Sequence, residues 1–483
     1  MKYISEQLTK ESIKEWGDED NVIITAPTGS GKSTWVRNVL HKEKSNILVL
    51  VNRSKLKNQL SVDFQNTNIH IQTYQFIETC IRNGDPYDLS KYSTIVCDEA
   101  HYFISDSGFN HFTDLSLNAV LETKALRVFM SATIGEIEEY FNTIDVKINH
   151  IQKFNFTTNI SKVYTYKSTE TIVKYFNTTN DKSIMFSNVK ELENINSLIK
   201  DSSIVVSDYN SKKYLTDKNT VNNIVNDNMF DKKILLTTTA LDNGISIKDI
   251  NVKSIVIDLY DPITIQQAIG RLRFETDTQA IEIVIRNRSK TSISALIRLD
   301  EGILNGVETL RKSENEYLKE FNRISYRHSR CIYPDTTDGK TTMMINEIAV
   351  FKLMKDLEFL YMVRDSINDG TGDFSSHIIK YLKLDDVNVK NLKEMFDMKN
   401  VDLILSNFTG KYLFKDGKEE LSNQLKPYLS TTHTRKGVKV FNLNYINAYL
   451  EQFNHKYTII NKRIMSNGKR LRVWDVVELC IND

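Results

Sequence analysis

The sequence predicts an α/β protein: two α/β domains with mainly parallel sheets, then a mostly helical C-terminal region ending in a winged-helix-like hairpin. Three observations carry this. Between residue 22 and about 285, short β-branched runs alternate with helical stretches, the βαβ rhythm of a parallel sheet. The rhythm breaks near 145–170, where polar residues such as Asn and Thr take over, and then resumes. From about 290, apolar residues recur at helical spacing instead. The division that follows is 1–150, 151–290, 291–430 and 431–483.

In the first domain NVIITA (21–26), ILVLV (47–51), TIVCD (94–98) and RVFMS (127–131) are apolar runs, as expected of strands covered on both faces. Helices are predicted over Lys32–Leu40 and Ser54–Phe64. In the second domain the strands are KSIMFSN (182–188), SIVVS (203–207), KILLTT (233–238), SIVIDL (254–259) and AIEIVI (280–285). Beyond them, 310–325 and 345–366 are amphipathic at helical spacing.

Composition bounds the function classes. Hydrophobic residues make up 40% and charged residues 26%, which excludes a disordered chain. No apolar run approaches the roughly 18 residues of a membrane span, and MKYISEQLTK lacks the apolar stretch of a signal peptide. A cytoplasmic protein with no membrane partner is expected. Cys80, Cys97, Cys331 and Cys480 have no metal-ligand spacing and read as reduced thiols. With 63 basic and 62 acidic residues, total charge does not point to a polyanion, so any such site must be local. The last stretch, 431–483, holds 9 Lys/Arg against 4 Asp/Glu.

The strongest chemical signal is APTGSGKST, covering Ala26, Pro27, Thr28, Gly29, Ser30, Gly31, Lys32, Ser33 and Thr34, directly after a strand and before a helix. A Gly-rich loop there aims backbone N–H groups and the positive helix end at a phosphate chain. Lys32 would reach the β- and γ-phosphates, and the Ser33 hydroxyl would ligate Mg²⁺. Ala26 stands where the usual pattern opens on Gly, a position whose side chain phosphate contact does not need. The second signal is DEAH, 98–101, at the end of a strand. Asp98 there can hold Mg²⁺ through water, and Glu99 can polarise the attacking water as general base. ATP and Mg²⁺ are the expected cofactors.

TGSGKS, DEAH, SAT (131–133), TTALDNGISI (238–247) and QAIGRLR (267–273) occur in the order seen in superfamily-two DEAD/DEAH-box (DExH-type) helicases and translocases, which residues 1–290 resemble. The resemblance implies two RecA-like P-loop domains with ATP in the cleft between them, and an ATP hydrolase that acts on nucleic acid, DNA or RNA, with DNA the favoured reading. It implies that Ser131 and Thr133 couple nucleotide state to strand binding, and that Gly244 lies near the ATP. Asn52 and Arg53 of NRSKLKNQ, Thr73 and Thr238 would touch nucleic acid, and Gln7 would read adenine. Gln267 and Arg271 match the last motif. The family's second arginine would fall on Phe274, while Arg273 stands one place earlier. Read as a helical segment, two residues apart, Arg271 and Arg273 cannot share a face. The expectation is Arg271 on the γ-phosphate with Arg273 in support. The alternatives are a double-strand translocase or remodeller that does not unwind, and a nucleotide-gated binding module in a replication or defence complex.

At the C-terminus Leu443, Ile446, Leu450 and Phe453 recur at helical spacing. YTIINKRIM and KRLRVWDVV then flank Ser466-Asn467-Gly468, and Asn-Gly is a strong hairpin signal. A two-residue turn pairs Met465 with Arg470, Ile464 with Leu471 and Arg463 with Arg472. Ile464, Leu471 and Val473 would face the domain. Arg463, Arg470, Arg472 and Trp474 would face a nucleic acid, the tryptophan by stacking on a base.

Overall fold

The computed structural model describes residues 4–27, 29–64, 67–154, 159–207, 210–239, 247–272, 280–321, 328–337, 340–429, 440–466 and 468–479. Thr28, Gly244, Arg273 and Asn467 lie outside the described residues. The chain divides into two compact units, 1–163 with 167–388, and 389–483 with 164–166.

The first unit is built on two sheets. Its first lobe has β1 (Asn21–Thr25), β2 (Ile47–Val51), β3 (Ile69–Thr73), β4 (Thr94–Asp98), β5 (Leu126–Ser131) and β6 (His150–Lys153), in the order β3-β2-β4-β5-β1-β6, all parallel. β2 and β4 are buried along their whole length, which is why both read as unbroken apolar runs. At the edge, β3 alternates buried and exposed positions, so His70 and Gln72 are tolerated there. The second lobe has β7 (Ile160–Tyr166), β8 (Lys182–Phe186), β9 (Ser202–Val205), β10 (Ile234–Thr237), β11 (Val252–Ile257) and β12 (Ile281–Arg286), in the order β7-β12-β11-β8-β10-β9. The two sheets with their helices are the two α/β domains that the alternating runs predicted.

The region after the second sheet is mainly helical, with helices Lys290–Lys312, Glu314–Phe321 and Glu347–Asp369. One element departs from expectation. β13 (Ile332–Thr337) and β14 (Lys340–Ile345) form an antiparallel hairpin between the stretches 310–325 and 345–366, in a region expected to be mostly helical. The Glu347–Asp369 helix contributes to the cores of both lobes. Ile348 packs with Tyr74, Phe129 and Phe141 of the first, and Leu357, Leu360 and Val363 pack with the β-strand core of the second.

The second unit takes in residues on both sides of position 431. Helices Leu392–Ser406, Lys415–Leu425 and Leu443–Gln452 enclose a three-stranded sheet in which Lys469–Glu478 lies between Tyr412–Leu413 and Tyr457–Ser466. The hairpin register pairs Met465 with Arg470, Ile464 with Leu471 and Arg463 with Arg472, as the turn signal required. The assignment of its faces needs correction at two residues: of the set expected to face the domain Val473 is buried but Leu471, nearer the tip, is exposed, and Trp474 also differs. Trp474 is buried, packed among Leu405, Leu421, Ile446 and Ile459, so its ring is core and is not offered to a base. Alternation puts Trp474 on the face of Arg463, but at its depth in the sheet that face is already covered by the helices. Arg463, Arg470 and Arg472, nearer the tip, are exposed.

Candidate nucleotide and nucleic-acid site

The order of the first sheet makes the site. β4, β5 and β1 are neighbours, so the segments leaving their C-terminal ends meet: Asp98–His101, Ser131–Thr133 and Ala26–Thr34. Ligands of open parallel sheets bind at this edge. Backbone bonds pin the segments together, with Ala26 N donating to Ser131 O at 2.9 Å and Ala100 N to Met130 O at 2.9 Å.

The loop after β1 has Gly29 and Gly31 at φ of 83° and 84°, a backbone shape that a side chain would strain. Gly31 caps the Lys32–Trp35 helix, which continues as a π-helical turn to Leu40. Trp35 holds the helix down by donating its indole N–H to Leu8 O at 2.9 Å. Ile4 N donates to Ser30 O at 3.1 Å, so the short helix bearing exposed Gln7 rests on the loop. Lys32 is buried and folds back, its ammonium donating to Ala26 O at 3.1 Å and lying 3.7 Å from Glu99. The Ser30 hydroxyl is buried with no hydrogen-bond partner. Ser33 is partly exposed on the first turn of the helix, and Thr34 is exposed. Two glycines in the left-handed region, an orphaned hydroxyl and an ammonium held by carbonyl oxygens suit a phosphate chain.

Glu99 adopts φ 49°, left-handed for a non-glycine residue, a conformation that costs on the order of 1–3 kcal/mol and clusters at functional sites. Its N–H donates to Asp98 Oδ1 at 3.1 Å. Burial pushes the Glu99 carboxyl up, but Lys32, His101 and Arg271 together hold it well below the usual carboxylate range. Asp98 is pushed the other way, up to about 6, by burial and by the Glu99 charge. One carboxylate is thus kept ionised by Lys32, Arg271 and a hydrogen bond from His101, while its neighbour is pushed toward its neutral form.

His101 was missed in the sequence reading, although it is the last letter of DEAH. It joins the two lobes in a relay. His101 Nδ1 lies 3.4 Å from Glu99 and 2.9 Å from Ser131 Oγ, which accepts Thr133 N at 3.1 Å. Thr133 Oγ1 in turn accepts from Gln267 Nε2 of the second lobe at 3.1 Å. The helix carrying Gln267 is Pro262–Ile269, and it ends there, which corrects the reading of Arg271 as helical. Arg271 lies past the Gly270 cap, its carbonyl accepting from Ile247 N at 3.0 Å. The face argument between Arg271 and Arg273 therefore lapses.

A cavity of about 730 Å³ opens on the other side of this relay, with Asn52, Arg53, His101, Thr238, Gln267 and Arg271 in its wall. Arg82 lines it too, stacked 3.7 Å from the centre of the Phe112 ring, and Arg53 is paired with Asp106 at 3.3 Å. Thr73 is not in that wall. Its hydroxyl caps the Tyr74–Arg82 helix by accepting Phe76 N at 3.1 Å.

Residues 42–140 match the family model of DEAD/DEAH box helicases. No curated protein matches the chain. Similar solved structures include Saccharomyces cerevisiae Dbp5 bound to RNA and ADP BeF3, at 17% identity and TM-score 0.42, covering 57% of this chain and 81% of that one. Escherichia coli DEAH/RHA helicase HrpB shares 14% identity at TM-score 0.38, over 55% of this chain and 40% of its own. Mycobacterium smegmatis helicase Lhr bound to ssDNA and AMP-PNP shares 14% at TM-score 0.36, over 62% and 44%.

Proposed function

We propose that this chain, whose residues 42–140 match the DEAD/DEAH box helicase model, is a nucleic-acid-dependent ATP hydrolase that uses ATP hydrolysis to move along or separate nucleic acid strands held in the cavity of about 730 Å³. The observation that supports this most is the relay Glu99–His101–Ser131–Thr133–Gln267. It runs from the proposed base, through His101 and Gln267 of the cavity wall, to the second lobe, so the state of the phosphates and the grip on a strand share one set of hydrogen bonds.

In this reading Lys32 exchanges its carbonyl partners for the phosphates, and Glu99, kept ionised by Lys32, His101 and Arg271, accepts a proton from the attacking water. Arg271 supplies counter-charge from the second lobe. Ser33 and Asp98 would hold Mg²⁺, a cation that typically takes one or two protein ligands besides phosphate and water, and it would neutralise charge building on the phosphates. Asn52, Arg53 and Thr238 would hold the strand, and Arg463, Arg470 and Arg472 offer a separate surface to phosphates.

The test is ATPase rate against single- and double-stranded DNA and RNA, run beside unwinding of a tailed duplex. Stimulation by single strands with unwinding is expected, and the panel assigns the sugar. Stimulation by duplex without unwinding would mean a double-strand translocase, and nucleotide-dependent binding without turnover a gated module.

A further inference from the structure

Lys352 is a lysine that the phosphate chemistry does not use, and it is almost wholly enclosed, with 5% of its surface exposed. It sits in the second turn of the Glu347–Asp369 helix, outside every family motif. Its ammonium lies 3.2 Å from Glu136, 2.8 Å from Asp261 and 2.9 Å from Asp356. A buried charge persists only where partners outweigh its lost hydration. Here burial lowers the lysine's pKa, but the three carboxylates raise it further, so the ammonium stays charged.

The identity of the partners gives the contact its meaning. Glu136 stands in the first turn of the Gly135–Thr143 helix, which begins just after Ser131–Thr133. Asp261 caps the Pro262–Ile269 helix, with Oδ2 accepting Thr264 N at 3.0 Å while Oδ1 takes the lysine. Gln267, further along that helix, is the residue that reaches Thr133. Lys352 therefore ties together the same two segments that the Gln267–Thr133 bond ties, at a second point. One hydrogen bond leaves two bodies free to pivot; two ties fix their angle.

The helix that presents Lys352 is itself fixed at both ends. Its cap residue Asn346 donates to His111 O at 3.0 Å and to Thr113 Oγ1 at 3.2 Å in the first lobe. Leu357, Leu360 and Val363 are embedded in the core of the second. A strut seated in both lobes, with a charged clasp between its ends, defines how far the lobes stand apart next to the phosphate site.

We propose that Lys352 is a positioning residue for hydrolysis, an inter-lobe clasp that holds Gln267 and Arg271 in register with Glu99 and Thr133. The proposal rests on the functional reading above. Loss of the clasp would leave Glu136 and Asp261 without the ammonium that joins them, while Asp356 keeps Arg330, so the second tie between the lobes would be gone.

The experiment uses the full chain and four variants besides Lys352→Met. Lys352→Met is expected to lower nucleic-acid-stimulated kcat about tenfold with KM for ATP within twofold of wild type, and Lys352→Arg to restore at least half of it. Glu136→Gln and Asp261→Asn keep shape and, for asparagine, the helix cap; each is expected to lower kcat three- to tenfold. Lys355→Met is the control, because among the described residues Lys355 pairs with Glu139 of the first lobe and Glu358 of its own helix and with no acidic residue of the second lobe's Pro262–Ile269 segment, and it should stay within twofold. Fluorescence transfer between one label on each lobe is expected to report a longer separation in Lys352→Met. If Lys352→Met fails to fold, Glu136→Gln and Asp261→Asn decide the matter. Folded variants with wild-type kcat, KM and label separation would overturn the proposal and leave the cluster a packing feature. If wild type is not stimulated by any nucleic acid, the functional reading fails instead, and basal kcat with label separation still tests the clasp.

Discussion

The phosphate loop and the tip of the C-terminal hairpin both gather basic side chains, and they do so under opposite rules. Lys32 is buried, and each direction in which its charge points is answered by a carbonyl or by Glu99. Arg463 and Arg472 are exposed and stand directly opposite each other in the ladder, an arrangement that costs a few tenths of a kcal/mol up to about 1 kcal/mol. A charge enclosed with its partners acts on atoms placed in advance. A charge left in water acts through a field that salt screens. The first should fail sharply when altered, and the second by degrees.

The sharpest way to break the comparison is at the loop. Lys32→Ala should cost ATP hydrolysis about a thousandfold, on the order of 4 kcal/mol of transition-state stabilisation. Glu99→Gln should bind nucleotide and lose turnover to a similar degree. Steady-state ATPase together with nucleotide binding checks both, and near-wild-type turnover in either would refute the site.

Within the hairpin, Trp474→Ala separates core from surface. Removing this buried ring should lower the stability of the second unit by about 3 kcal/mol, read by denaturant unfolding. The relay comes next. His101→Ala and Gln267→Ala should each lower nucleic-acid stimulation of kcat about tenfold, roughly 1.4 kcal/mol, while leaving KM for ATP close to wild type. Equal loss of basal and stimulated rates would place both residues in chemistry alone. The smallest effect belongs to the arginines. Arg463→Ala/Arg472→Ala should flatten the salt dependence of nucleic-acid binding by up to about two units of log–log slope with unchanged basal ATPase. An unchanged slope would leave the hairpin a structural element.

The same contrast explains what could be read from the sequence. Strands covered on both faces, such as Ile47–Val51, announce themselves because burial demands apolar residues at every position. The phosphate loop is legible because its chemistry is local: glycines, a lysine and a hydroxyl must be consecutive. β13–β14 was not legible, because its ladder is largely exposed and one strand carries Pro334, although Asp338-Gly339 is the same kind of turn signal as Asn467-Gly468. Trp474 was misplaced because alternation names a face but not how deep the helices cover it. His101 and Lys352 depend on partners supplied by other strands and helices, Lys352 on residues 91 and 216 positions away. No window of sequence holds that information.

The Glu347–Asp369 helix also sets a timetable. Strand β12 leaves the ribosome at Arg286, yet the apolar face it belongs to is completed by Leu357, Leu360, Val363, Phe374 and Ile378. About 70 residues separate the sheet from the first of these, or roughly 4–14 s at 5–20 residues per second. Through that interval the nascent second lobe must hold an incomplete apolar surface in water. A chain cut at 290, just after β12, would hold it permanently, and such a fragment should emerge from synthesis as aggregate rather than as a minimal enzyme.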